Sequence, residues 1–195
     1  MKNIIFDLGS VILMDQPISV LNNVDIDNNT YDRLKDFFND WDELDLGNKT
    51  LLEKYNEINF SSEFDVYKDR LVNYFLYREI NIDMIDLLNN LKMKNYNIYV
   101  LSDNNIDAFN YYKNNEIFKN VDGWVMSCEY HTLKKDGKLF DILINNYCLE
   151  PNECYFIDDN IYNINEAKKH GIKGFVFNNN IDLLCVDMKN NGIII

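Results

Sequence analysis

The sequence predicts a doubly wound, Rossmann-like parallel α/β sheet that carries an inserted helical cap. Three observations predict it. Short β-rich runs alternate with amphipathic helical patterns; the alternation stops between about Asp15 and Ile82, where only helical patterns remain; and three of the strand-like runs end in polar residues. A chain of 195 residues holds one full core plus an inserted subdomain and is too short for two large independent domains. The expected division is a core of residues 1–14 and 83–195 and a cap of residues 15–82.

Taken in order, residues 2–8 form the first strand. In the insert, Leu34, Phe37, Phe38 and Trp41 share one helical face, Gly47 stands where that helix ends, and Thr50-x-x-Glu53 has the form of a capping box opening the next. These aromatic residues read as packing, so Trp41 receives no functional role. In "DMIDLLNNLKMKN", Met84, Leu87, Leu88 and Leu91 recur at i, i+3, i+4 and i+7, a helix that leads into the second strand, "NIYVLS". The remaining strands are "GWVMS", "ECYFID" and "KGFVF", and after Asp159 a helix runs to Gly171, a natural residue just past a helix end.

Composition narrows the function. With 19 basic and 32 acidic side chains the formal net charge is −13, which repels nucleic-acid backbones and anionic lipid. Cys128, Cys148, Cys154 and Cys185 form no CxxC pair, and with only His131 and His170 to join them they read as reduced or structural thiols of a cytoplasmic protein. No apolar run approaches the ~20 residues of a membrane span, and no secretory cleavage pattern follows the first apolar stretch. The expected partner is a small molecule, with neither nucleic acid nor membrane involved; the sequence assigns no oligomeric state.

Ligands of an open parallel sheet bind beyond the carboxyl ends of its strands. There the sequence places Asp7 after "NIIF", Ser102 after "NIYVL" and Asp158-Asp159 after "CYFI". Clustered like charges cost energy unless a cation neutralises them, and hard oxygen donors of this kind suit Mg²⁺. The charges themselves ask for a metal.

The order Asp, Ser, Lys, Asp-Asp resembles the haloacid dehalogenase superfamily, chiefly its Mg²⁺-dependent phosphatases, over nearly the whole chain. The first motif is "FDLGSVIL" and the second is Ser102 in "VLSDNN". The third is "KKDGKLF", with Lys134 in the lysine position, Lys135 as the fallback, and Lys135 and Gly137 in place of two prolines. The fourth is "FIDDNIYNINEAKKHGI", with Asp158-Asp159, Asn163-Ile164, Ala167 and Gly171-Ile172 in register. The helical insert resembles the family's cap, and "DLGSV" resembles the D-L-G-N-V opening of a sugar-phosphatase-like subgroup that includes α-D-glucose-1-phosphate phosphatases. Ser10 and Asp103 stand where that subgroup carries Asn.

The resemblance implies a role for each residue. Asp7 attacks phosphorus and forms an aspartyl-phosphate; Lys134 supplies a cation to Asp7 and the transferring group; Ser102, Lys134 and Asp103 bind phosphate. Mg²⁺ is held by Asp7, the carbonyl of Gly9, Asp158 and Asp159. Many such phosphatases carry a second aspartate two residues after the nucleophile, which protonates the leaving group. Gly9 cannot do so, and general acid–base catalysis is typically worth 10² to 10⁴-fold, or ~3–5 kcal/mol of barrier. The expected function is hydrolysis of a small phosphomonoester, a sugar phosphate by resemblance. The alternatives are a weakly active or inactive binding protein of the same fold, or a metal-independent dehalogenase, a branch that also lacks the second aspartate but does not keep the metal-binding aspartate that Asp158-Asp159 preserves here.

Overall fold

The computed structural model describes residues 1–14, 16–22 and 24–195. Asp15, the first residue of the expected cap, lies outside the described residues. Five parallel strands form one sheet in the order β3-β2-β1-β4-β5, with β1 Asn3–Phe6, β2 Asn97–Ser102, β3 Gly123–Met126, β4 Cys154–Asp158 and β5 Lys173–Val176. The chain therefore winds outward from β1 through β2 to β3, then returns to place β4 on the other side of β1. That reversal opens a crevice at the carboxyl ends of β1 and β4, the usual ligand position in such sheets.

Side-chain alternation assigns the two faces. Ile4, Phe6, Ile98, Val100, Tyr155 and Ile157 enter one apolar cluster, and Ile5, Tyr99, Leu101 and Phe156 enter the other. Helix α5 (Ile82–Met93), α6 (Ile106–Lys113) and α10 (Ile181–Asn190) cover the first face, through Leu88, Leu91, Phe109, Tyr112 and Met188. Helix α8 (Lys138–Asn146) and α9 (Ile161–Lys169) cover the second, through Phe140, Leu143, Ile164 and Ala167. Gly171, at φ 80°, terminates the α9 segment as the sequence suggested. A short helix α7, Ser127–Tyr130, follows β3 directly.

Between β1 and α5 the described chain adds no strand to the sheet. It forms helices α1 (Asn28–Leu34), α2 (Asp42–Asp45), α3 (Leu51–Ile58) and α4 (Lys68–Val72), linked by 3-10 turns. The capping box of α3 is present: the Glu53 N–H donates to Thr50 Oγ1 at 3.2 Å, and the Thr50 N–H donates to the Glu53 carboxylate at 2.7 Å. The helix expected to carry Leu34 through Trp41 is broken. After Leu34 the chain tightens into a 3-10 turn, Lys35–Phe38; Asn39 is then extended and Asp40 is left-handed at φ 49°. Lys54 stabilises the break by donating to the carbonyls of Asn39 (2.5 Å) and Asp40 (3.2 Å), which the interrupted helix leaves free. The aromatic side chains still cluster, with Phe38 stacked on Trp41 at 5.5 Å.

Helix α2 ends in a Schellman turn, where Gly47 N–H donates to Leu44 O and Asn48 N–H to Glu43 O. Gly47 has φ +70°, and a Cβ there would lie 2.4 Å from the Cys128 carbonyl oxygen, so α2 rests directly on the backbone of α7. Further ties fix the same contact. Ser127 Oγ donates to Asp45 O at 2.6 Å, and His131 Nδ1 lies 2.7 Å from Leu46 O. Among the described residues no helix is long and apolar enough to cross a membrane, and the four cysteines are free thiols.

Replacing Gly47 with alanine should cost about 2 kcal/mol or more, because both the left-handed backbone and the contact with Cys128 oppose a methyl group. At roughly 2–4 °C per kcal/mol for a chain of this size, thermal unfolding should shift down by at least ~4 °C. Gly9→Ala is the control: its added Cβ meets nothing within 4 Å. Equal melting temperatures for the two variants would contradict the close approach.

Candidate active site

The register of the sheet brings the polar strand ends together. Phe6 pairs with Val100 on one side and Ile157 on the other, so Asp7, the next residue, stands level with Asp158 and beside the end of β2. The Asp7 N–H still donates to Ile157 O at 2.9 Å, which extends the ladder by one bond and holds the carboxylate at the strand tip. Asp7, Ser102, Lys134 and Asp158 are all buried.

Lys134 lies in a 3-10 turn, Lys134–Asp136, that precedes α8; the turn ends at Gly137, left-handed at φ 79°. Its Nζ is 2.8 Å from Asp7 Oδ2 and 2.6 Å from Asp158 Oδ2, one ammonium bridging two carboxylates. The remaining oxygens are also engaged. Asp7 Oδ1 accepts the Leu8 N–H at 2.7 Å, and Asp158 Oδ1 accepts the Asn160 N–H at 2.8 Å and Asn163 Nδ2 at 3.1 Å. Asp103 Oδ1 accepts the Lys134 N–H at 2.9 Å, so Asp103 fixes the lysine-bearing turn as well as lining the crevice. Lys135, the fallback, points elsewhere and pairs with Asp42 on the exposed surface at 2.7 Å.

Burial dominates the electrostatics. It pushes the Asp7 carboxyl up to about 7, against the pull of Lys134 and with the help of Asp158. It also raises Asp103 and Asp159, the latter beside the charge of Asp158. Lys134 is buried too, yet the charges of Asp158, Asp7 and Asp103 outweigh desolvation and hold its pKa above the usual lysine value. A buried ion cluster of this kind is costly unless its charges balance. Here they do not: Asp7, Asp158 and Asp159 each place a carboxylate oxygen within 4.8 Å of the others, and the one ammonium beside them pairs with Asp7 and Asp158. Three hard oxygen donors with excess negative charge fit a divalent cation such as Mg²⁺.

Two adjoining cavities share Gly9, Gln16 and Asp103 in their walls. One, of about 450 Å³, is lined by Asp7, Ser102, Lys134 and Asp159. The other, of about 360 Å³, lies under the inserted helices, with Phe38, Trp41, Asp45 and Tyr74 in its wall. The space above Gly9 is open, because a Cβ there meets no atom within 4 Å. Ser10, left-handed at φ 55°, accepts Gln16 Nε2 on its hydroxyl at 2.7 Å.

Sequence reasoning assigned no role to two contributors. Asn163 was visible as a motif match, and its spacing of five residues from Asp158 is the signal: one helical turn returns its amide to both carboxylate oxygens, each at 3.1 Å. Asp45 carried no signal, since the break before α2 that aims it at the cavity cannot be read from the pattern. Burial raises its carboxyl well above the ordinary range, with the charges of Asp103 and Asp42 adding to the effect.

Comparison with known proteins places this geometry in context. A family model described as haloacid dehalogenase-like hydrolase matches residues 1–171. No curated protein matches the sequence. Among solved structures, a predicted HAD-like family hydrolase from Porphyromonas gingivalis is 19% identical with a TM-score of 0.72, over 97% of this chain and 97% of that one. An HAD family enzyme from Bacteroides thetaiotaomicron, in complex with magnesium and inorganic phosphate, is 21% identical with a TM-score of 0.70, over 91% and 94%. L-2-haloacid dehalogenase from Xanthobacter autotrophicus is 12% identical with a TM-score of 0.64, over 89% and 76%. The TM-scores establish a shared fold, and at these identities the likeness extends to the fold alone.

The raised carboxylates predict an unusual stability profile. Asp7, Asp45, Asp103 and Asp159 bind more protons in the folded than in the unfolded chain above the ordinary carboxylate range, so the metal-free protein loses stability as pH rises through that interval, which for Asp7 ends near about 7. The exposed Asp27, Glu53 and Asp69 are held low by hydrogen bonds; their stabilisation is lost only as pH falls through the acidic range. In chelator the melting temperature should be higher at about pH 5.5 than at about pH 8, and Mg²⁺ should raise it more at the higher pH. A melting temperature that climbs toward pH 8 without metal contradicts this.

Proposed function

The chain belongs to the haloacid dehalogenase-like hydrolases, and from that membership we propose that it is a Mg²⁺-dependent phosphatase acting on a small phosphomonoester. The observation that carries the reading is the convergence of Asp7, Asp158 and Asp159 around one buried lysine. A metal-independent dehalogenase would have no use for the additional strand-end carboxylates, Asp158 and Asp159, whereas a phosphatase needs the cation they attract. The magnesium and phosphate bound by the Bacteroides relative point the same way.

In this reading Asp7 Oδ attacks phosphorus in line with the departing oxygen, giving an aspartyl-phosphate that water then hydrolyses. Lys134 pairs with Asp7, which favours its ionised form against the effect of burial, and faces the equatorial oxygens, while Ser102 and Asp103 line the phosphate cavity. Asp103 acts there through the Lys134 backbone. Asp7, the Gly9 carbonyl, Asp158 and Asp159 are the residues that would hold Mg²⁺. When bound, the metal supplies two positive charges, which with Lys134 offset three of the five negative charges that three carboxylates and a phosphate dianion bring together. Asn163 keeps Asp158 oriented for that task.

Residues 15–82 then serve as the cap over a core of 1–14 and 83–195, and the smaller cavity beneath them receives the leaving group. Its volume of about 360 Å³ suits a compact molecule. Phe38, Trp41 and Tyr74 offer flat apolar surfaces for the C–H face of a sugar, and Asn39 and Asn104 offer hydrogen bonds for its hydroxyls. A sugar phosphate is the substrate class this combination fits best.

A phosphate-release assay over small phosphomonoesters tests the reading. Turnover should require Mg²⁺ and vanish in chelator, and Asp7→Asn should lower it by ~10³-fold or more, because an amide is no nucleophile and removes a metal-binding charge. Asp158→Asn should mainly raise the Mg²⁺ concentration needed for half-maximal rate. Activity indifferent to chelator, or halide release from a 2-haloacid in its place, rules the phosphatase out.

A further inference from the structure

Phosphate-ester cleavage needs a proton for the departing oxygen, and Gly9 has no side chain to give one. The cavity beside Gly9 nevertheless contains a carboxyl that the fold leaves uncommitted. Among the described residues the Asp45 side chain has no hydrogen-bond or ion-pair partner; Asp103, the other carboxyl in that cavity, is tied to the Lys134 N–H. Asp42, one turn earlier on α2, is exposed and paired with Lys135. Asp45 lines the leaving-group cavity and not the phosphate cavity, and the two meet at Gly9 and Asp103.

Its position is fixed by the core as well as by its own helix. Ser127 Oγ donates to the Asp45 carbonyl at 2.6 Å and accepts the Asn104 N–H at 2.9 Å, so one hydroxyl links Asp45 to the loop that follows Ser102. The Gly47 contact with Cys128 and the His131 contact with Leu46 clamp the next two residues. The backbone that carries the Asp45 side chain is thereby fixed against the loop after β2 and against α7.

We propose that Asp45 is the acid–base residue of the reaction, acting from the inserted helices in place of the carboxylate that Gly9 lacks; the inference rests on the phosphatase reading. In the first step an Asp7 oxygen forms a bond to phosphorus, the phosphorus–ester oxygen bond breaks, and its electron pair takes the proton of the Asp45 carboxyl. Alcohol leaves and Asp45 becomes a carboxylate. In the second step water adds to phosphorus and gives its proton to Asp45, and the bond to Asp7 breaks with its electron pair returning to the Asp7 carboxylate. Both residues end as they began. Desolvation keeps Asp45 protonated above the ordinary carboxylate range, and the negative groups facing it, Asp103 and Asp42 foremost and Asp7 farther off, act in the same direction against the pull of Lys134. Arg78 lies in the wall of the same cavity, and its charge and that of Asp45 both act on Tyr74.

The test compares kcat/KM on an alkyl phosphate and on a nitrophenyl phosphate, whose leaving group needs no proton, for wild type, Asp45→Asn, Asp45→Glu and Asp45→Asn with Gly9→Asp. Asp45→Asn should lower the alkyl rate by ~10²-fold or more and the aryl rate by less than about tenfold. It should also remove the fall in alkyl turnover that wild type shows as pH rises through the Asp45 pKa. Asp45→Glu should keep part of the alkyl rate, and adding Gly9→Asp to Asp45→Asn should restore at least about tenfold of it, since the space above Gly9 is open. Equal losses on both esters, or no loss on the alkyl ester, overturn the proposal while leaving the phosphatase reading intact. A wild type that releases phosphate from neither ester overturns both.

Discussion

One constraint organises the molecule: the ends of two strands, β1 and β4, deliver three carboxylates to a single point, and the fold supplies one buried ammonium to meet them. Such a cluster cannot be justified by stability. Its desolvation is only partly recovered by Lys134, and the burial that pushes Asp7 up to about 7 measures how poorly the metal-free site tolerates its own charge. Much of the neighbouring structure serves to hold the cluster in place. The Asp7 N–H extends the β1 ladder, Asn160 and Asn163 fix Asp158, and Asp103 pins the turn that carries Lys134. These contacts keep the three carboxylates and Lys134 together at the carboxyl ends of β1 and β4.

The inserted helices are bound to the same point by a second set of contacts. Gly47 lies against the Cys128 backbone, Ser127 bridges Asp45 and Asn104, and Asp107 accepts the Leu51 N–H at 2.9 Å. These contacts run from the insert to the segments that follow β2 and β3, Asn104 with α6 and then α7. The insert thus supplies part of the wall of the smaller cavity, and Gly9, Gln16 and Asp103 line both cavities.

Much of this was legible in the sequence. Hydrophobic runs located the strands, the strand–helix rhythm gave a parallel sheet, and Asp7, Ser102 and Asp158 could be placed at strand ends because each directly follows or closes an apolar run. Lys134 was legible only through the motif order, since nothing local distinguishes it from Lys135; its selection depends on the turn closed by Gly137 and on the Asp103 anchor. The helix expected through Trp41 failed for a tertiary reason. Periodicity favoured continuation, but the left-handed turn at Asp40 is stabilised by Lys54, distant in sequence. Asp45 was invisible for the same reason, because its direction is set by that turn.

The central claim is that the buried charge imbalance makes phosphate and metal bind as a pair. Calorimetric titration of inorganic phosphate into the protein at about pH 7.5, in Mg²⁺ and in chelator, tests it most directly. The account predicts binding at least ~100-fold tighter in Mg²⁺, with Mg²⁺ affinity rising by the same factor in phosphate, as linkage requires. Phosphate affinity unchanged by chelator would contradict it.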